Sequence, residues 1–399
     1  MFKLIHLADE HWDQEKLEKC KASAAFIEQK CFELKPDLIV IAGDLQNRRQ
    51  YLAGSSAVLP MMNHIIGLAD CAPVAIVYGN AEHDPPGSLD FLKSLYTRHP
   101  VYVASRAETI ALHEDDYHFW FGPHGGRTGI AKAILHLFPF PTKQFFLLAG
   151  EQNLSIDESN QLIWDALRKI FTGFGVISME VQCPVIFVGH CNVVGAELST
   201  GQMLLGQDIM VSKHDLELAR ADYYALGHIH KAQEVGPRMF YSGSIYHCNF
   251  GETELKGFNF VELDPSIDTD IKSDCFISLQ QIEIPSRPLS LHDAEWDAKN
   301  GWSDEGGEDW KDTELRIRVH LTKESSQLIT DDQIRSNYPG AYSYQIERIV
   351  SPEERIRSTE IVKAKTLPEK VTEWGRSIEK DISPEVLSLA GEVERSVIS

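Results

Sequence analysis

Residues 222–233 read DYYALGHIHKAQ, and this stretch decides the fold. Tyr224, Ala225 and Leu226 make a short apolar run that stops at Gly227, the pattern of a buried strand meeting a loop. His228 and His230 follow one residue apart. In extended chain residues i and i+2 point the same way, so two imidazoles leave the sheet edge side by side. Neutral imidazole binds zinc, manganese and iron alike. A lone HxH reads better as a surface loop. Here four other segments end in the same kind of chemistry, which turns the balance toward a metal site.

Those segments lie upstream. Residues 2–8 form an apolar strand pattern ending in Asp9-Glu10-His11, and residues 38–42 (LIVIA) end in Gly43-Asp44. Residues 74–78 lead into Gly79-Asn80-Ala81-Glu82-His83-Asp84, and residues 185–188 deliver Gly189-His190. Between the first two strands Leu17, Cys20, Ala24, Ile27, Cys31 and Leu34 recur at helical spacing, and residues 55–68 read as a second helix. Strand–helix alternation with continuous apolar strands predicts an α/β fold whose parallel sheet is covered on both faces. In such sheets ligands gather at the carboxyl ends of the strands, where each polar cluster sits. Residues 101–104 and 145–149 are expected as further strands, 157–171 and 211–219 as helices, and 240–244 and 257–263 as closing strands.

From about Cys275 the character changes. Residues 276–284 are extended and stopped by Pro285 and Pro288, and 291–312 form an acidic, Trp-containing loop or hairpin. Leu315, Ile317, Val319 and Leu321 alternate with Arg316, Arg318 and His320, a half-buried strand. A helix over 331–337, the Pro339-Gly340 turn and a strand over 342–346 complete a β-α-β unit. After Ser351-Pro352 the chain reads as helical. Thr366 and Glu369 form a capping box ahead of Val371, Trp374 and Ile378. The last helix starts at Ser383-Pro384, and its Val386, Leu389, Ala390, Val393 and Val397 make one apolar stripe.

Composition bounds the reading. A chain of 399 residues, 43% hydrophobic and 24% charged, suits a globular protein of two or three domains. No run approaches the roughly 18–20 apolar residues of a membrane span. The first residues, MFKLIHLAD, turn polar too soon for a signal peptide. Seven scattered cysteines without a CxxC pair argue for reduced thiols, hence a cytoplasmic setting, and against a zinc ribbon. A net charge of −21 counts against a generally sticky nucleic-acid binder, though not against a nucleic-acid enzyme whose bound cations and partner subunit supply positive charge.

Singly, each strand end is weak evidence. Together, Asp9-x-His11, Gly43-Asp44, Asn80…His83-Asp84, Gly189-His190 and His228-x-His230 supply what a pair of divalent ions about 3.5–4 Å apart requires, a bridging carboxylate plus further oxygen and nitrogen ligands. Asp44 is the natural bridge. A set without thiolate suits Mn²⁺ or Fe²⁺ at least as well as Zn²⁺.

The ordered set resembles the calcineurin-like metallophosphoesterases, and more narrowly the SbcD family of nuclease subunits. The narrower resemblance is carried by DYYALGHIHKAQ and by FYSGSIYHCNFGETELKGFNFVEL, then by IEIPSRPL leading onward. It implies a metallophosphoesterase core of layered sheets flanked by helices over residues 1–270. A small α+β capping domain would follow over 271–360, with C-terminal helices over 361–399 that dock an ATPase. Carried over, Asp9, His11, Asp44 and His230 would hold one ion, and Asp44, His190, His228 and an Asn-like group the other. His83, oriented by Asp84, would serve the leaving oxygen. The resemblance also implies two divalent ions, most readily Mn²⁺. It implies exonuclease action on duplex DNA ends and endonuclease action on single strands or hairpins, a homodimer, and an SbcC-like SMC-type coiled-coil ATPase partner, with no membrane.

The chain departs from the family pattern at GNAEHD, where two residues are added before His83. Either Asn80 reaches around a bulge or Glu82 takes its place; Asn80 is the expected ligand, because a neutral amide adds no negative charge where phosphate binds. Asn192, Glu197, His124, His247 and Cys191 read as local structure, and Trp296, Trp302 and Trp310 as packing within the insert. Two rival functions share part of this evidence, a phosphodiesterase or phosphatase for small molecules and a catalytically weak scaffold subunit of a DNA-processing complex.

Overall fold

The computed structural model describes residues 1–47, 55–115, 118–124, 131–142, 156–199, 209–252, 254–264, 275–303, 310–351 and 359–398. The chain divides into two compact units, Met1–Ser290 and Leu291–Ser399.

The first unit opens with β1 (Phe2–Leu7), α1 (Leu17–Leu34), β2 (Leu38–Ala42), α2 (Val58–Cys71), β3 (Val74–Val77) and β4 (Val101–Ala104). It continues through β5 (Glu108–Glu114), β6 (Phe119–Gly122), β7 (Ala131–Phe138), α3 (Ile156–Glu180) and β8 (Val185–His190). Two short strands, β9 (Asn192–Val193) and β10 (Met210–Val211), precede α4 (Lys213–Glu217) and β11 (Tyr223–Gly227). The unit closes with β12 (Gln233–Gly236), β13 (Met239–Tyr241), β14 (Gly257–Leu263) and β15 (Phe276–Glu283).

These strands form two principal sheets, β15-β14-β1-β2-β3-β4 and β12-β13-β11-β8-β7-β5-β6. Side chains alternate across each strand, so every central strand feeds two cores. In the first sheet Ile5, Ile39, Ile41 and Ile76 pack on the Ile27 face of α1 and the Ile65 face of α2. The opposite face, with Leu4, Val40, Ala75 and Val77, meets Ile186, Val188, Tyr223 and Ala225 of the second sheet. That sheet's outer face, with Phe187 and Tyr224, carries Leu167 and Phe171 of α3 and Leu216 of α4. The result is a helix–sheet–sheet–helix sandwich. β1, β2 and β3 run parallel to one another, as do β8 and β11.

Several expectations change. The sheets are mixed, because β14 and β15 join antiparallel at one edge and β5 and β6 at another. β15 thereby belongs to the first unit. β5 and β7 escape a reading by apolar runs since buried histidines, His113 and His136, interrupt them: His136 is wholly buried, bonded to Thr109 Oγ1 and Ser178 Oγ at 2.9 Å each. The helix expected over 211–219 shortens to α4, whose start is fixed by Ser212 Oγ accepting from Asp215 N, and the helix expected to end at 171 runs on to Glu180. The strand expected over 145–149 lies outside the described residues.

The second unit holds a sheet ordered β17-β16-β18-β19, from β16 (Leu289–Asp297), β17 (Gly301–Trp302), β18 (Glu314–Leu321) and β19 (Ser343–Val350). β18 and β19 are parallel and joined through α5 (Lys323–Leu328) and α6 (Asp331–Ser336). Leu315, Ile317, Val319 and Leu321 are buried as their alternation requires. The insert is a β16–β17 hairpin pairing Trp296 with Trp302, and Trp310 packs in the same core. α7 (Thr359–Lys363), α8 (Leu367–Ser377) and α9 (Pro384–Ile398) follow, with the Thr366–Glu369 capping box formed.

Candidate metal centre

The loops after β1, β2, β3, β8 and β11 converge. Asp9 N donates to Gly43 O at 3.1 Å, and His11 N to Asp44 O at 3.0 Å. Asp9, His11, Asp44 and His228 all take positive φ, at 51°, 44°, 49° and 101°. Such conformations cost about 1–3 kcal/mol each and persist where surroundings over-determine them. Close approach is secured by glycine: a Cβ on Gly79 would lie 2.1 Å from Asp44 N, and one on Gly227 would lie 1.9 Å from Ala42 O.

Asp44 sits at the middle. Its Oδ2 is 3.4 Å from His190 Nε2 and 4.0 Å from both His11 Nε2 and His83 Nε2. Its Oδ1 accepts from Asn80 N at 2.6 Å. Two sets of ligand atoms therefore share this carboxylate: His11, Asp44 and His83 on one side, Asp44, His190 and His228 on the other, each set within 4.8 Å. Burial alone would raise Asp44, yet facing His190 and His83 hold its carboxyl well below the ordinary range.

The orientation of His190 tests whether cations fit here. Its Nδ1 donates to Ala42 O at 2.7 Å, which turns Nε2 toward Asp44. Buried Nε2 makes no hydrogen bond. A ring lone pair against a carboxylate 3.4 Å away is repulsive unless a proton or a cation lies between them. Burial lowers the affinity of His190 for a proton, but Asp44 and Asp9 outweigh it and push the imidazole up to about 9. A metal ion takes the place of such a proton. The donors present fit divalent cations.

The other predicted residues lie around this centre. Asp9 is buried and receives His228 N on both carboxylate oxygens, at 3.0 and 3.1 Å. His230 Nε2 is 3.0 Å from His11 Nε2. Asn80 Oδ1 accepts from Glu82 N at 3.0 Å, which tightens the lengthened loop, while Glu82 is exposed.

The Asp84 carboxylate bonds backbone amides and not the His83 ring. Its carboxylate accepts from Leu45 N, Gln46 N and Gly79 N at 3.0–3.1 Å, stitching the Asp44 loop to the Gly79 loop. Buried His83 Nδ1 has no hydrogen-bond partner. Burial, then the nearby Asp44 charge, pushes Asp84 up to about 7 despite those amides.

Sequence reasoning missed a layer behind His230. Glu252 Oε1 accepts from His230 Nδ1 at 3.0 Å, and wholly buried Lys256 pairs with Glu252 at 2.6 Å and Glu254 at 2.8 Å. Such partners fix a metal-ligating imidazole's tautomer and ring orientation. Their only signal was the FGETELKGF run, whose residues have no strand-end spacing to mark them. Cys248 was missed too: with His11 and His230 it forms a third set of ligand atoms within 4.8 Å. His247 turns away, its ring within 3.2 Å of Glu254 O, and Cys191 is a buried thiol pushed up to about 12 by burial.

A sandwich of two sheets with a carboxylate shared by clusters of imidazoles at its strand ends fits the class of metal-dependent phosphoesterases. The calcineurin-like phosphoesterase family matches residues 2–232, and the chain belongs to that family. Among curated proteins it is similar to the SbcD subunit of the nuclease SbcCD from Staphylococcus epidermidis, 23% identical over 304 residues that cover 74% of this chain and 73% of the relative. It is also similar to the SbcD subunit from Staphylococcus saprophyticus, at 25% over 291 residues and 71% of each chain.

Proposed function

We propose that the chain is a two-metal DNA phosphodiesterase, an exonuclease on duplex ends and an endonuclease on single strands or hairpins, working with an SbcC-like coiled-coil ATPase. The observation that carries the chemistry is Asp44 Oδ2, shared by two clusters of imidazoles. The similarity to SbcCD nuclease subunits supports DNA as substrate and the ATPase as partner. Asp9, His11, Asp44 and His230 would hold one ion, and Asp44, Asn80, His190 and His228 the other.

When bound, two divalent ions supply Lewis acidity toward the phosphate and lower the pKa of water. The chain's own residues prepare that chemistry. Ala42 O and Glu252 fix the tautomers of His190 and His230, and Asn80 N–H aims the Asp44 carboxylate. His83, partly exposed beside Asp44, carries the proton for the leaving oxygen. Asp84 positions it by locking the loop rather than by touching the ring.

Incubation with Mn²⁺ and, in parallel, a single-stranded oligonucleotide, a hairpin and a small chromogenic phosphodiester tests the reading. Cleavage of both DNAs is expected. Turnover of the small ester alone would assign a small-molecule phosphodiesterase, and no turnover of any substrate would leave the scaffold role.

A further inference from the structure

Cys248 brings a third kind of ligand to a site of imidazole and carboxylate. Its thiol shares a 4.8 Å cluster with ligand atoms of His11 and His230. The two imidazoles face each other Nε2 to Nε2 at 3.0 Å, and His11 is 3% exposed with its Nδ1 unpartnered. One carboxylate ties the thiol's own backbone to its imidazole neighbour: Glu252 Oε1 holds His230 Nδ1 at 3.0 Å, and Glu252 Oε2 accepts from Cys248 N at 3.0 Å. Lys256, pairing with the same carboxylate at 2.6 Å, keeps it ionised and in place. Lys16 Nζ donates to Cys248 O, so the loop is pinned from α1's side as well. The thiol donates a weak contact to Tyr246 O, at 3.7 Å.

We infer that Cys248 is a thiolate ligand of the ion held by His11 and His230. The inference rests on the two-metal reading above and deepens it. On binding, the sulfur forms a bond to the cation and its proton passes to solvent, so the contact to Tyr246 O is given up. Thiolate is a soft donor that favours Zn²⁺ and Fe²⁺ over Mn²⁺. This half of the centre is therefore selective for a softer ion than the Asp44, His190 and His228 half. Neither nearby thiol competes for the role. Cys20 donates weakly to His11 O at 3.9 Å, and burial pushes it up to about 11; Cys191 is wholly enclosed.

Titration of the metal-free full-length protein with Co²⁺ reads the bond directly, because cobalt–thiolate coordination produces a near-ultraviolet charge-transfer band. Two bound Co²⁺ are expected, with a band that saturates at one equivalent. Cys248→Ser should lose the band while cobalt still fills the other position, and Cys191→Ser should keep it. Zn²⁺ affinity at the altered position should fall by more than the roughly 10–100-fold cost of losing an outer partner of a ligand, and Mn²⁺ affinity by less. Two bound Co²⁺ without a band, or a band that survives Cys248→Ser, overturns the thiolate. Absence of cobalt binding altogether overturns the two-metal reading itself.

Discussion

His83 and Asp84 are adjacent in sequence and do different work. His83 Nε2 is 4.0 Å from Asp44 Oδ2, the same separation as His11 Nε2. Distance alone does not separate a proton donor from a ligand; retention of metal does. His83→Ala should keep both ions and lose about 10²–10⁴-fold in cleavage, the scale of a general acid. Loss of an ion from that variant, measured by elemental analysis, would make His83 a ligand instead. At this scale the sequence was most legible where a residue ends a strand. Asp9, His11, Asp44, His190, His228 and His230 each follow an apolar run into a loop, so spacing and chemistry expose them. Glu252, Lys256 and Cys248 did not announce themselves, because their value depends on a loop returning to His230 from 22 residues further along.

Between elements, the sandwich carries polar groups that only cross-sheet partners explain. His6 on β1 bonds Tyr223 OH at 2.9 Å and Leu226 O at 3.2 Å in the opposite sheet. His136 on β7 stacks on Phe174 of α3, with centroids 4.5 Å apart. Burial lowers both imidazoles to about 3. Both stay neutral in the folded protein while the unfolded chain protonates near pH 6.5. Their contribution is therefore complete above pH 6.5 and declines as pH falls toward 3, by about 1.4 kcal/mol per pH unit per histidine. His64 on α2 acts in the other direction. Burial lowers it, but Glu10 and Glu28 outweigh that and raise it to about 9. Its contribution is complete below pH 6.5 and is lost as pH rises through about 9. Urea unfolding of the metal-free protein should give a midpoint that falls between pH 6.5 and 5, where the two histidines together outweigh the opposing protonation of Asp84, with a shallower fall in His136→Gln. A flat midpoint over that range in the unaltered protein would contradict the burial argument. His136 in β7 and buried His113 in β5 also explain why those strands were hidden: they break the kind of apolar run that reveals β2, β3 and β8.

At the scale of the whole molecule, the chain ends in two helices whose apolar side chains face outward. Trp374 is 51% exposed, Leu389 59%, and Val386, Val393 and Ile378 are also exposed, while Ala390 is buried and Gly375 is buried against Lys380 and Ile382 of the connection between the helices. The stripe was legible as spacing; that it faces solvent was not, since an apolar helix at a chain end can equally pack inward. Helices that dock into a partner's groove use this spacing. Deleting residues 367–399 should leave a folded, metal-loaded protein that still cleaves a short single strand but no longer co-purifies with the coiled-coil ATPase or cuts duplex ends with ATP. Full-strength ATPase binding by the truncated protein would refute docking, and aggregation would favour packing. The central claim, though, is the shared carboxylate that two sets of imidazoles face. Metal content and Mn²⁺-dependent DNA cleavage, measured side by side for the unaltered protein and Asp44→Ala, test it most directly. The account predicts two ions per unaltered chain and a folded variant that has lost the pair together with its activity; near-normal cleavage by Asp44→Ala would contradict it.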